Sequence, residues 1–483
     1  MAAAAAAVAA STQRPLALLV YGATGFTGKY VCEYLAKTAL TSSSMPWGIA
    51  GRNKLKLEEL VRSLEAKGLS PPSLLLLADN RDPASLEAAA AQTRLLLNCT
   101  GPYRFLGEEV IKACLRSRTD CIDLCGEPEF MDRMLLLYHE EAKEKKVLLL
   151  SACAFDSVPA DLGTIFAQRV FLSRGGAALS SIESFLSIST GGKGLHGHAT
   201  TFEAAVHGFG SIRDLLNVRR ELKRKYPYND SRTVGPPLKA RNGPYFESRM
   251  SRYAFKFPGS DASVVKASQR SLLLSGLVPS ASSLPRYAAY FTVPSLWWAA
   301  VVTVVGSVFA FLAQRSWGRS LLLSHPSLFT LGAFTHEGPT EEQLAATRFS
   351  MTFIATGYHS SSSSVSTSSS AAEGREGGRE GGSTPDRTER GDGKKAAAST
   401  TTPLLPAAPC DKILITRVTG PEPGYVATPI IFVELARCLL AQRPSLPPSL
   451  QGGVYTPGAI FYSQPEMLFE RLEKAGVRFE AML

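Results

Sequence analysis

The residues with the most chemistry to offer stand near the start of the chain. Gly22, Gly25 and Gly28 are spaced G-x-x-G-x-x-G, preceded by the apolar run Leu16–Tyr21 and followed by a helix-forming stretch through Lys37. The turn therefore joins a strand to the start of a helix. In such a turn the first glycine permits a tight bend and the second lets main-chain N–H groups approach a diphosphate. The third lets the helix pack closely on the sheet. Thr24, Phe26 and Thr27 complete the turn, and the helix N-terminus adds positive potential for an anionic ligand. Plain turn chemistry is the competing reading, and the strand–turn–helix context favours a dinucleotide.

Arg52 follows the second apolar run. An acidic residue there would bind a ribose 2′-hydroxyl, whereas arginine can pair with the 2′-phosphate of NADP. The pattern favours NADP over NAD, with a helix-flanking charge as the bland alternative. Asp79 and Asn80 follow the third run, where a side chain could reach the adenine edge. Asn98, Thr100, Gly101 and Pro102 follow the fourth, against the nicotinamide half.

Hydride transfer also needs a proton donor for the developing anion. Tyr103, Asp123, Glu127 and Asp156 occupy the same strand-end positions and are the candidates, although each could equally orient or cap. His196, His198 and His207 do not reach metal-ligand spacing with a fourth residue, so no metal is expected and polar contacts in a substrate domain are preferred. Eight scattered cysteines include no C-x-x-C pair and read as reduced thiols. No G-x-S-x-G, H-E-x-x-H or phosphate-loop lysine motif occurs.

These positions need a frame. Short apolar runs at 16–21, 47–50, 74–78, 95–99, 121–124 and 147–151 alternate with helical stretches at 54–67, 83–92, 107–117 and 128–145. Non-alternating strands, each followed by a helix, imply a parallel sheet buried on both faces, a Rossmann-type doubly wound α/β fold. After Gly163 the runs 181–189, 347–358 and 413–418 alternate apolar with polar residues, and 201–220 reads as one helix. A second α+β domain on a mostly antiparallel sheet is expected. The division expected is an Ala-rich disordered start at 1–13, a dinucleotide domain at 14–163 and a substrate domain at 164–359. A low-complexity insert at 360–408 and a C-terminal part at 409–483 follow, the latter completing the second domain and packing back on the first.

Within the second domain, residues 288–334 contain an apolar segment. Its centre, 293–313, has 21 residues without a charge, with Trp297 and Trp298 at one end and Arg315, Trp317 and Arg319 beyond the other. A single span conflicts with the neighbouring strands sharing one sheet, so an interfacial element on a membrane or lipid-droplet monolayer is expected. A buried core helix or a homodimer interface is the alternative. The chain has 483 residues, 19% charged, with a net charge of +10. It shows neither the concentrated basic face nor the stacking aromatics of a nucleic-acid binder, and its charge suits an anionic ligand or lipid surface. Nine Lys and Arg lie between 213 and 241, in a run that reads equally as a solvated helix face.

The stretches YGATGFTGKYV, AGRN, LLLNCTGPYRFLGEEVIKAC, DLCGEPEFM, SACAFDSVPADLG, FSMTFIATGY, GPEPGYVATPI and GGVYTPGA together resemble the saccharopine dehydrogenase-like oxidoreductases. More distantly they resemble bacterial trans-acting enoyl reductases. The resemblance covers nearly the whole chain outside the Ala-rich start and the insert. It implies an NAD(P)-binding oxidoreductase at a membrane or lipid droplet, linked to glycolipid biosynthesis, and plant relatives imply a mitochondrial address. Two further readings stay open: a nucleotide-binding lipid-droplet protein without turnover, and a soluble saccharopine-type dehydrogenase.

Overall fold

The computed structural model describes residues 14–39, 45–227, 234–239, 241, 243–359 and 409–482. The expected disordered start and insert lie outside these residues.

Leu16–Tyr21 buries every side chain, so this strand, β1, is covered on both faces. It leads through the glycine turn into α1 (Phe26–Ala39), then β2 (Trp47–Gly51), α2 (Lys54–Ala66), β3 (Leu74–Leu77) and α3 (Pro83–Ala90). β4 (Thr93–Asn98), α4 (Tyr103–Ser117), β5 (Asp120–Asp123), α5 (Pro128–Lys145), β6 (Leu148–Leu150) and α6 (Val158–Ser173) follow. Side chains fix where helices begin: Asn53 caps α2, and Asp82 caps α3 ahead of its first-turn proline. All neighbouring strands are parallel, in the order β6-β5-β4-β1-β2-β3. Helix α1 packs with Leu57 of α2 in one apolar core, while Val110 of α4 and Phe130 of α5 pack in another. The strand order reverses between β1 and β4, which opens a crevice there at the carboxyl ends of the strands.

The second half runs β7 (Gly176–Ser189), β8 (Gly197–His198), α7 (Ala199–Gly210), α8 (Ile212–Lys225), β9 (Tyr245–Glu247), β10 (Arg252–Lys256), α9 (Asp261–Leu274) and β11 (Arg286–Val293). Helices α10 (Leu296–Ala313), α11 (Ser316–Ser324) and α12 (Pro326–Phe329) come next. β12 (Phe334–Thr335), α13 (Glu341–Ala346), β13 (Arg348–His359) and β14 (Lys412–Pro421) follow them. The single helix expected over 201–220 is two. The chain breaks at Ser211, whose hydroxyl bonds the His207 and Gly208 carbonyls at the end of α7. The apolar segment expected over 288–334 also begins differently, because its first residues belong to β11 inside the sheet.

The chain ends with α14 (Thr428–Gln442), β15 (Gly453–Tyr455), α15 (Pro457–Phe461), α16 (Glu466–Lys474) and β16 (Arg478–Ala481). The second sheet has the order β16-β14-β13-β7-β11-β10-β9. Every pairing in it is antiparallel except β7 with β11. β15 instead joins the first sheet beside β6, so the C-terminal part contributes to both sheets.

Two long apolar helices behave oppositely. Helix α14 is almost wholly buried and forms core, whereas only 17% of α10 is buried. Trp297 is 72% exposed, and Val304, Phe311, Trp317, Leu328 and Leu331 also face outward. Few folded chains leave so continuous an apolar face open.

Candidate dinucleotide crevice and active site

The glycine turn is as tight as its spacing demands. Gly22 has φ +79°, and a Cβ there would lie 2.6 Å from Thr100 Cγ2. A Cβ at Gly28 would meet the Gly22 carbonyl oxygen at 2.3 Å, so helix α1 can start this close to β1 only with glycine in place. Gly25 is exposed, and its N–H donates to the Gly22 oxygen at 2.9 Å. Thr24 and Thr27 are half-buried beside it. The absent side chains leave a cradle above the first turn of α1, where main-chain N–H groups and the helix dipole favour an anion. These residues fit the diphosphate of a dinucleotide.

Around the turn, the strand ends supply the neighbouring groups. Arg52, beyond β2, is exposed. Asp79 accepts from the Arg81 N–H at 3.0 Å and so braces its own loop. Its neighbour Asn80 accepts from the Tyr21 hydroxyl and donates to the Leu106 carbonyl at 2.6 Å, so its side chain also braces the loop. At the end of β4, buried Asn98 accepts from both the N–H and the hydroxyl of Thr100, at 3.0 and 2.6 Å. That pair shapes the loop carrying Gly101 and Pro102, which are joined by a cis peptide.

The four proton-donor candidates separate cleanly. Tyr103 is buried, and its hydroxyl donates to the Asn98 carbonyl at 2.8 Å while accepting from the Leu124 N–H at 3.1 Å. Burial pushes its pKa further up, so its proton is committed to a structural bridge. Asp123 accepts from the Cys125 N–H, the Ala152 N–H and the Ser151 hydroxyl, tying the end of β5 to the loop after β6. Burial raises it to about 6 against those three bonds. Glu127 caps α4 by accepting from the Tyr103 N–H at 2.7 Å, and pairs with Arg104 at 2.9 Å. Three of the four are therefore fully engaged in holding the loops.

Asp156 differs. Its carboxylate accepts no hydrogen bond among the described residues, and solvent reaches it. A Cβ on Gly126 would lie 2.9 Å from its Oδ2, so the glycine makes room for this carboxylate. Although the residue is exposed, desolvation by neighbouring protein atoms raises its pKa to about 6, inside the range useful for proton transfer. Below it lies a cluster that sequence reasoning missed. The Ser157 and Ser260 hydroxyls meet at 2.9 Å, both bond the Asp156 carbonyl, and buried Asp261 opens the adjacent helix α9. Asp161, at the start of α6, accepts from Ser268 and from the Gly458 N–H at 2.7 Å each, and burial lifts it to about 7. No local signal marks these residues, because their partners come from distant segments.

The histidines do not converge. His196 faces the Lys193 carbonyl. His198, the N-cap of α7, stacks on Phe26 of the glycine turn with ring centroids 4.2 Å apart, and Tyr425 meets Phe26 edge-on at 4.9 Å. His207, near the other end of α7, meets Phe105 at 5.4 Å, and Arg104 at the start of α4 bonds its carbonyl. Helix α7 is thus anchored at both lips of the crevice, on the turn after β1 and on the turn after β4. Its 12 residues, about 18 Å at the α-helical rise, bridge that gap.

Known proteins match this arrangement. A family profile described as the saccharopine dehydrogenase NADP binding domain matches residues 18–150, the stretch from β1 to β6. The saccharopine dehydrogenase-like oxidoreductase of Mus musculus is 37% identical over 481 residues, covering 98% of this chain and 99% of its own. A relative in Arabidopsis thaliana named "probable mitochondrial saccharopine dehydrogenase-like oxidoreductase" is 36% identical, covering 97% of each chain. The lipid droplet localized protein of Caenorhabditis elegans is 27% identical, covering 96% of this chain and 97% of its own. Similarity of this extent, with an NADP-binding first sheet, places the chain in the saccharopine dehydrogenase-like oxidoreductase family.

Proposed function

We propose that this oxidoreductase works at a membrane or lipid-droplet surface and reduces a carbonyl, imine or C=C bond in an apolar substrate with NADPH. NADPH, when bound, supplies the hydride. The chain's own residues do the rest. The Gly22–Gly28 turn, with Thr24, Phe26 and Thr27, holds the diphosphate, Arg52 pairs with the 2′-phosphate, and Asp79 lies toward the adenine. The loop Asn98–Pro102 borders the nicotinamide half. Asp156 delivers the proton to the developing anion, while Tyr103, Asp123 and Glu127 position the loops around it.

The observation that carries the lipid part is the open face of α10, only 17% of which is buried. A spanning geometry does not suit it. The start of α10 follows β11 directly, while Leu312 and Ala313 at its end pack on Phe202 and Val206 of α7. Both ends return to one folded body, so the helix lies along a lipid surface with Trp297 and Trp298 in the interface. The name of the C. elegans relative agrees with a lipid-droplet address, and that of the plant relative points to the mitochondrion. Glycolipids belong among the substrates to be screened. Flotation of the intact protein with phosphatidylcholine vesicles tests the surface. Trp297→Ser/Trp298→Ser is expected to abolish it, and a wild-type chain that stays at the bottom of the gradient would refute it. NADPH bound but never oxidised against lipid extracts would favour nucleotide binding without turnover.

A further inference from the structure

An open-mouthed cavity of about 250 Å³ lies beside α7, between that helix and the helices of the apolar face. Thr200, Glu203 and His336 give it polar walls, and Phe202, Leu323 and Pro326 give it apolar ones. Its position is informative for two reasons. Leu323 and Pro326 belong to α11 and α12, the helices that expose Trp317, Leu321 and Leu328, so the apolar wall continues into the open apolar face. On the other side, Thr200, Glu203 and His207 follow one another at i, i+3 and i+7 and share one face of α7. His207 ends that row against Phe105 at the crevice lip, 4.0 Å from Glu203.

The lining also selects a chemistry. It contains a carboxylate, a hydroxyl and an imidazole, with no Lys or Arg among the described residues that form it. A phosphate or carboxylate head would face Glu203 without a compensating cation, whereas a hydroxyl, carbonyl or amide head finds both donors and acceptors. The volume falls just below that of sites enclosing a whole drug-sized ligand. It has room for a head and the first carbons, and a longer chain must leave through the mouth.

We infer that this cavity receives the uncharged polar end of a long-chain amphiphile, whose hydrocarbon leaves over the apolar side chains of α11 and α12. The Thr200–Glu203–His207 row then leads that end toward the crevice. This assignment deepens the proposed lipid-surface function and rests on it.

Photolabelling tests it, with a diazirine-bearing long-chain alcohol supplied below its micelle concentration so that no membrane is required. In the intact wild type, label is expected on peptides covering 199–203 and 320–336, with a diazirine fatty acid labelling them far less. Leu323→Trp fills the cavity and is expected to lower the label about tenfold or more, while NADPH binding and vesicle flotation stay as in wild type. Should that variant not fold, Glu203→Leu carries the same expectation. Label spread over the surface, or label indifferent to both substitutions, overturns the assignment. Flotation is scored separately: a chain that floats yet leaves the cavity unlabelled refutes the cavity and keeps the surface. One that labels there without floating refutes the surface instead.

Discussion

His198 stacks on Phe26 with their ring planes 22° apart, so the second domain holds the glycine turn of the first from above. Stacked aromatic pairs contribute about 0.5–1.5 kcal/mol beyond the area they bury. A double-mutant cycle of Phe26→Leu and His198→Ala, read by denaturant unfolding, is expected to show a coupling in that range. The same substitutions are expected to weaken NADPH binding together, since each loosens one support of the turn. Additive effects would mean that the stack is incidental.

The two later glycines of the turn answer to different forces. Gly25 is exposed and a Cβ there stays 3.1 Å from its nearest neighbour, whereas one at Gly28 would stand 2.3 Å from a carbonyl oxygen. Gly25→Ala is therefore expected to raise the NADPH Kd about 10–100-fold with little change in Tm. Gly28→Ala is expected to lower Tm itself. Fluorescence titration beside thermal melting separates the two, and in the same titration Arg52→Asp should shift preference from NADPH toward NADH.

Asp156 and Glu127 are both acids near the crevice, and the proposed mechanism gives them opposite duties. Asp156→Asn is expected to reduce turnover about 10²–10⁴-fold and to leave Tm nearly unchanged. In wild type the reductive rate should fall as pH rises through about 6, where the proton is lost. Glu127→Ala takes the acceptor from the buried Tyr103 N–H and leaves Arg104 with Glu129 at 4.0 Å and the His207 and Ser211 oxygens, at a cost of about 1–3 kcal/mol. A pH profile unchanged in Asp156→Asn would remove the residue from proton transfer.

Asp161 makes a stability statement. Its pKa rises from 3.8 to about 7 on folding, so between those values the folded chain holds a proton that the unfolded chain has lost. Stability from this group therefore falls as pH climbs through that window. Asp161→Asn keeps the acceptor for Ser268 and Gly458 without the charge, and its Tm advantage over wild type is expected to grow from pH 4 to pH 8. A difference independent of pH would contradict the assignment.

The glycine turn was legible because everything that defines it lies within 7 residues, between a strand and a helix of plain pattern. Strand ends were legible for the same reason, and Asn98, Asp123 and Glu127 were found there. Their duties were not legible, because their partners come from elsewhere. Helix α4 was expected to begin at Gly107, yet it begins at Tyr103 because a carboxylate 24 residues away caps it. β15 has three residues, too few to show a period, and only the sheet reveals it as a neighbour of β6. His198 gave no sign of its place against Phe26. That place depends on Tyr425, which accepts the His198 N–H across 227 positions of sequence.

The most direct measurement is a single turnover of NADPH by the intact protein floated on vesicles that carry a lipid extract. NADPH is expected to be oxidised only when the extract is present, at a rate that collapses in Asp156→Asn. A folded protein that leaves both NADPH and NADH untouched, with vesicles and without, would contradict a lipid-surface reductase.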